Sequence, residues 1–172
     1  KELKKDMVCL DVGGNIGYYT LLESNIVGSG GKVIAIEPSP PNFQRLKKNL
    51  EIQDTENVDA YNFAAGDVDG SVNFLVYQES NGSFTIPDGE TTDLPGELIK
   101  VKAKRLDTFL DELKISNVDF VRMDVEGYEF HIIEGMKNTI EKFKPMFQIE
   151  VHTTLLGKEE TRKFLKTFQI II

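Results

Sequence analysis

A doubly wound, mostly parallel α/β sheet is the fold this sequence predicts, and three observations predict it. Residues 8–12 form an apolar run that closes in the acidic, glycine-rich turn Asp11-Val12-Gly13-Gly14-Asn15-Ile16-Gly17. Twenty residues past Gly17, a second apolar run, Val33 to Ile36, ends in Glu37-Pro38. Helix-length stretches separate these and the later apolar runs, and strand alternating with helix is the pattern of a parallel sheet covered on both faces. A glycine turn followed by an acid at that distance suits an adenosine-containing ligand, with backbone approaching it at the glycines and the acid taking the ribose hydroxyls.

The helix after the turn is predicted over residues 17–27, with Tyr18, Leu21, Leu22 and Ile26 facing inward and Gly28-Ser29-Gly30-Gly31 stopping it. Ser39 can cap the next helix, whose first turn holds Pro40 and Pro41 and whose buried stripe is Phe43, Leu46 and Leu50. A third strand is expected over residues 58–65 and a fourth over 72–77. The polar stretch 79–97 is long for a compact domain and reads as a substrate-side loop. In residues 98–106, Ile99, Val101 and Ala103 alternate with Lys100, Lys102 and Lys104, as in a strand with one solvated face. Asp107 can cap a short helix over 108–113. A strand over 118–124 leads through Val125-Glu126-Gly127 into a helix over 128–143 with Ile133, Met136, Ile140 and Phe143 inside. His131, beside Phe130 and Ile132 in that helix, reads as a packing or surface residue. A strand over 146–151 precedes His152, and residues 158–167 suit a last helix. Residues 168–172 form a strand-like run that stops without a turn, and the first strand begins with no helix before it. Residues 1–172 are therefore expected to be a single domain trimmed at both ends.

With 172 residues and 40% hydrophobic composition, the chain suits one domain with a substantial core. No window approaches the roughly 18 apolar residues of a membrane span, and the start lacks the apolar core of a signal peptide, which points to a soluble, cytoplasmic protein. The formal charge of −8 opposes a nucleic-acid partner, since phosphate backbones are bound mainly by clustered Lys and Arg. Cys9 is the single cysteine, which excludes an internal disulfide, and its apolar strand makes it a packed small hydrophobe.

The dinucleotide pattern of three glycines fails here, because counting from Gly13 its second and third places hold Asn15 and Tyr18. What stands instead is an acid ahead of the glycines. Asp11 would repel a pyrophosphate and attract the ammonium and sulfonium of S-adenosylmethionine. Two unit charges about 4 Å apart interact by roughly 4 kcal/mol at an effective dielectric of about 20, enough to choose between ligands of opposite sign. Asp11 is accordingly expected at the amino end of the methionine moiety. Gly13, Gly14, Asn15 and Gly17 let the backbone pass beneath the cofactor, and Glu37 accepts from the ribose. Asp11, Glu37, Ala65, Asp124 and the Glu150-His152 segment all end strands, and ligands in such sheets lie outside the strands' carboxyl ends. A hydroxyl acceptor needs its proton removed. Asp124, Glu126 and His152 compete for that role, and Asp124 could instead cap the following helix. The same acids with Glu150 and His152 contain ligand types for a divalent cation, but no metal ligand is assigned.

The segments Asp-Val-Gly-Gly-Asn-Ile-Gly-Tyr-Tyr-Thr (11–20), Glu-Pro-Ser-Pro-Pro-Asn-Phe (37–43), Ala-Ala-Gly-Asp (64–67), Leu-Asp-Thr-Phe-Leu (106–110), Asp-Val-Glu-Gly-Tyr-Glu-Phe-His-Ile-Ile-Glu-Gly-Met (124–136) and Glu-Val-His (150–152) occur in order. Together they resemble the FkbM family of S-adenosylmethionine-dependent methyltransferases. The resemblance implies a Rossmann-like class I methyltransferase fold, whose sheet ends in an antiparallel strand that this chain stops short of. It departs from the family's usual residues at Gly14, where alanine is commoner, and at Arg122, where lysine is. The resemblance further implies O-methylation of a sugar, glycan or other small-molecule acceptor. A nicotinamide-dependent oxidoreductase and a non-catalytic cofactor-binding module are the alternatives.

Overall fold

The computed structural model describes residues 2–76, 83–86 and 96–151. In chain order its elements are β1 (Val8–Val12), α1 (Tyr18–Val27), β2 (Lys32–Ile36), α2 (Pro40–Ile52), β3 (Val58–Tyr61), β4 (Ala64–Gly66), β5 (Gly70–Val76), β6 (Phe84–Ile86), β7 (Glu97–Arg105), α3 (Leu106–Glu112), β8 (Phe120–Met123), α4 (Glu129–Glu134), α5 (Lys137–Phe143) and β9 (Met146–Ile149). β3-β2-β1-β8-β9 form a parallel sheet, with its switch point between β1 and β8. Ligands bind outside the carboxyl ends of strands at such a switch point.

Strand alternation divides the core. Leu10, Val12, Ile34, Ile36, Val121 and Met123 pack with Leu106, Phe109, Ile132 and Met136 of the α3 to α5 layer. Cys9, Val33 and Phe120 pack with Val27 of α1, and Ala35 packs with Leu46 and Leu50 of α2. Asp11 lies directly opposite Arg122 in the parallel register. Both side chains point to the α1 side, so two charged residues meet where the neighbouring pairs are apolar.

That placement explains why α1 does not turn the expected face inward. Tyr18, Leu22 and Ile26 are exposed, at 71%, 47% and 38%. The buried residues are Thr20, Glu23, Ser24 and Val27. Apolar periodicity misleads here because the sheet beneath α1 presents polar groups that the helix must satisfy: Thr20 bonds Asp11, and Ser24 bonds Asn57. Glu23 lies against Cys9.

The single strand expected over 58–65 is two strands in different sheets. β3 stops at Tyr61, and Asn62 Nδ2 donates to the carbonyls of Glu37 and Pro38 at 2.7 and 3.1 Å. The chain then enters a second sheet of order β4-β7-β5-β6, in which β5 runs antiparallel to both β6 and β7. In β7, Lys100 and Lys102 are exposed while Val101 and Ala103 are buried, as the alternation predicted. The helix expected over 128–143 is broken into α4 and α5 at Gly135 and Met136. A Cβ on Gly135 would stand 1.8 Å from the Gly66 carbonyl oxygen, so the break is where β4 and α4 touch backbone to backbone.

Two expected caps also differ. Asp107 sits in the first turn of α3, but its carboxylate accepts from the N–H groups of Asn138 and Thr139 at 3.1 and 2.8 Å, capping α5 instead. Ser39 occupies the N-cap of α2 without a side-chain cap bond; its own N–H donates to Glu37 Oε1. The helix and strand expected beyond residue 157 lie outside the described residues.

Candidate active site

A cavity of about 210 Å³ opens at the carboxyl ends of β1, β2 and β8. Val12, Gly13 and Asn15 form one wall, Glu37, Pro38 and Asn42 a second, and Asp124, Val125, Glu126 and Tyr128 a third. Ala64 and Ala65 of β4, Phe74 of β5 and Thr85 of β6 line it from the second sheet, together with Ser83 just before β6. Three carboxylates line the cavity, and among the described residues no basic side chain lines it.

The glycine turn is shaped by close approach. Gly13 has φ +88°, and a Cβ there would stand 2.0 Å from the Asp124 carbonyl oxygen, so the tips of β1 and β8 come together only over glycine. The N–H groups of Gly13 and Gly14 both donate to the Ile36 carbonyl, at 2.9 and 3.0 Å. Asn15 is left-handed at φ 51°, its N–H donates to Glu37 Oε2 at 2.8 Å, and its Oδ1 is buried with no hydrogen-bond partner among the described residues. Glu37 is 5% exposed, and burial pushes its carboxyl up to about 7 against the two backbone donors.

Of the residues expected at the site, Gly13, Asn15, Glu37, Ala65, Asp124 and Glu126 line the cavity. Asp11 does not. It is fully buried beneath the turn, where it accepts from Thr20 Oγ1 at 2.5 Å and from Arg122 Nη1 at 3.0 Å. Burial raises the Asp11 carboxyl, while the Arg122 guanidinium and the Thr20 hydroxyl pull against it. Gly14 faces Leu46, Thr20 and Asp11, and Gly17 faces Leu46, so both serve the packing of the turn on α1 and α2. His152 lies outside the described residues. Asp124 is not a helix cap, because the N-cap of α4 is Tyr128.

The sequence marks Arg122 only by its departure from lysine. Its guanidinium also donates through Nη2 to Asp124 Oδ2 at 3.1 Å and lies over the Tyr19 ring, 3.9 Å from its centre. Strand alternation held the signal: Arg122 is two residues before Asp124, on the same face. His131 is neither plain packing nor plain surface. Its Nδ1 lies 2.9 Å from Asp67 Oδ2, and its ring stacks on Tyr128 with centroids 4.4 Å apart. Ser83 and Thr85 come from the polar stretch read as a substrate-side loop, and no local sequence signal marked them individually.

Comparison with known proteins decides the family. The sequence model of the methyltransferase FkbM domain matches residues 11–170. The chain belongs to the FkbM methyltransferase family. A hexuronic acid methyltransferase, AglP, of Haloferax volcanii is 25% identical to this FkbM chain over 94% of it and 63% of that protein. A 2-O-methyltransferase, NoeI, of Sinorhizobium fredii is 27% identical over 81% of the chain and 61% of that protein. The chain thus spans 63% and 61% of the length of these two curated relatives. The crystal structure of a methyltransferase FkbM from Methylobacillus flagellatus superposes with a TM-score of 0.61, at 23% identity, covering 94% of this FkbM chain and 38% of that one. That likeness supports the Rossmann-like class I fold for the chain. No helix among the described residues is long and apolar enough to cross a membrane.

Proposed function

We propose that this FkbM-family chain transfers a methyl group from S-adenosylmethionine to a hydroxyl of a sugar-like small molecule or glycan. One observation carries the reading: the cavity at the switch point is walled by Glu37, Asp124 and Glu126, with no Lys or Arg lining it among the described residues. A pyrophosphate cofactor would meet like charge there, whereas a sulfonium and an ammonium meet opposite charge. This also opposes the nicotinamide alternative.

The residues present fit the cofactor. Glu37 ends β2 where an adenosine ribose would lie, and the buried Asn15 Oδ1, which has no hydrogen-bond partner among the described residues, lines the same cavity as an acceptor. Ala65 gives β4 a small side chain lining the cavity. Asp11 acts from below the turn rather than on the ligand, so the acid closest to the sulfonium in this reading is Asp124. When bound, S-adenosylmethionine supplies an activated methyl carbon for in-line displacement. The protein's own task is to position the acceptor oxygen against it. That oxygen must lose its proton as the new carbon–oxygen bond forms and the carbon–sulfur bond breaks. Asp124 has Oδ2 bonded to Arg122, which suits it to orient rather than to take the proton. Glu126 on the adjacent turn is the proposed base, with His152 as the alternative.

The names of AglP and NoeI, a hexuronic acid methyltransferase and a 2-O-methyltransferase, support a carbohydrate hydroxyl as acceptor. The test is transfer of labelled methyl from S-adenosylmethionine to a panel of hexoses, uronic acids, oligosaccharides and polyols, with the product analysed for the methylated atom. Label on a hydroxyl oxygen is expected. Label on nitrogen or carbon, or binding of a nicotinamide dinucleotide in place of S-adenosylmethionine, would overturn the reading.

A further inference from the structure

The acid of the glycine turn and the acid at the cavity rim share one cation. Arg122 reaches Asp11 through Nη1 and Asp124 through Nη2, at 3.0 and 3.1 Å. Two bonds to two different carboxylates fix the plane of the guanidinium, and the Tyr19 ring 3.9 Å beneath it removes the remaining freedom. The Arg122 side chain is only 7% exposed, whereas that of Asp124 is 28% exposed and lines the cavity. The cation is therefore held behind the wall, and only the carboxylate it grips faces the ligand space. Asp11 is anchored in turn by Thr20 of α1.

We infer that Arg122 is a positioning residue for methyl transfer, holding the Asp124 carboxylate at the cavity rim from a guanidinium locked in place by Asp11 and Tyr19. The inference rests on reading the cavity as the methyl-donor site. It gives Asp11 a role that its burial otherwise denies it, because the carboxylate of the glycine turn sets the cavity-facing acid through one intervening side chain. Arginine at this position does what lysine cannot do with the same geometry: a point-charge ammonium on a flexible stem has no planar fork to grip two carboxylates at once.

A purely structural role, neutralising buried Asp11, makes a different prediction. The test is a double-mutant cycle read by calorimetric titration with S-adenosylmethionine, on the wild-type chain, Arg122→Lys, Asp124→Ala and the double variant. Arg122→Lys keeps a cation beside Asp11, so it is expected to melt close to wild type. It should weaken binding about three- to tenfold, with no further loss in the Asp124→Ala background, because coupled residues are not additive. Equal losses in both backgrounds, or wild-type affinity for Arg122→Lys, would overturn the inference. Tyr19→Leu, on the exposed side of α1, is a second probe that leaves the ion pairs in place. It should weaken binding in the same direction, again only when Asp124 is present, and an unchanged affinity would count against the inference even if Arg122→Lys fails to fold. A wild-type chain that binds no S-adenosylmethionine would instead overturn the reading of the cavity itself.

Discussion

The backbone N–H of Asn15 donates to Glu37 Oε2 at 2.8 Å, so the acid at the end of β2 clamps the glycine turn at the end of β1. With the Ser39 N–H on Oε1, both carboxylate oxygens already accept from backbone. Burial nonetheless holds the Glu37 carboxyl up at about 7. Ribose hydroxyls donating to this carboxylate would favour its ionised form, so cofactor binding is expected to release a proton near that pH and to tighten as pH rises through it. Calorimetry with S-adenosylhomocysteine in buffers of different ionisation enthalpy measures this. Heats should depend on the buffer for wild type and lose that dependence in Glu37→Gln; buffer-independent heats for wild type would rule the linkage out.

Glu23 lies under α1 beside Cys9, and burial, reinforced by the nearby Asp11, pushes its carboxyl up to about 8 from an ordinary 4.5. The folded-state pKa lies above the unfolded one. The stability this group contributes is therefore complete below the ordinary value and is lost as pH rises through about 8. Glu37 adds a slope of the same sign up to about 7. Urea midpoints should fall between about pH 5 and about pH 8, and Glu23→Gln should flatten the decline. A variant with the wild-type slope would show that Glu23 ionises freely in the folded chain.

The two adjacent glycines of the turn should respond to alanine to different extents. At Gly13 a Cβ would meet the Asp124 carbonyl at 2.0 Å with φ at +88°, so Gly13→Ala must separate the tips of β1 and β8. At Gly14 the nearest atom is the end of the Leu46 side chain at 3.0 Å. Gly13→Ala is expected to cost about 2 kcal/mol or more, from the left-handed conformation together with the clash. Gly14→Ala should cost under about 1 kcal/mol. Chemical denaturation of both variants distinguishes them, and equal costs would show that close approach does not govern the turn.

Asp107 joins α3 to α5 by accepting from the Asn138 and Thr139 N–H groups and from Thr139 Oγ1 at 2.7 Å. Asp107→Ala leaves those donors without their acceptor in a buried corner, at an expected cost of about 1–3 kcal/mol. Asp107→Asn, which keeps an acceptor oxygen, should recover part of it. A loss confined to α3, with the amide protection of residues 138 and 139 unchanged in hydrogen exchange, would contradict this assignment.

What the sequence disclosed and what it withheld have physical reasons. The parallel core was legible because β1, β2 and β8 are mostly apolar runs separated by helix-length stretches, and Glu37 was legible because its spacing from the turn follows from one strand–helix–strand unit. The inward face of α1 was hidden because Thr20, Glu23 and Ser24 answer Asp11, Cys9 and Asn57, partners outside the helix that its own periodicity does not report. Strand alternation puts Arg122 on the same face as Asp124, but its contact with Asp11 arises only from the register that sets the two opposite each other. The break at Gly135 depends on the Gly66 backbone, and the second sheet depends on pairing between β5 and β7 across the polar stretch. Each is a tertiary relation that composition does not encode.

The most direct measurement of the central claim is the affinity of S-adenosylhomocysteine for the wild-type chain and for Glu37→Ala. If Glu37 holds the ribose in the cavity between β1, β2 and β8, wild type binds at one site and Glu37→Ala weakens binding by about 1–3 kcal/mol, the loss of charge-assisted hydrogen bonds. Equal affinity of a folded Glu37→Ala variant would remove the ribose from Glu37 and the cofactor from this cavity.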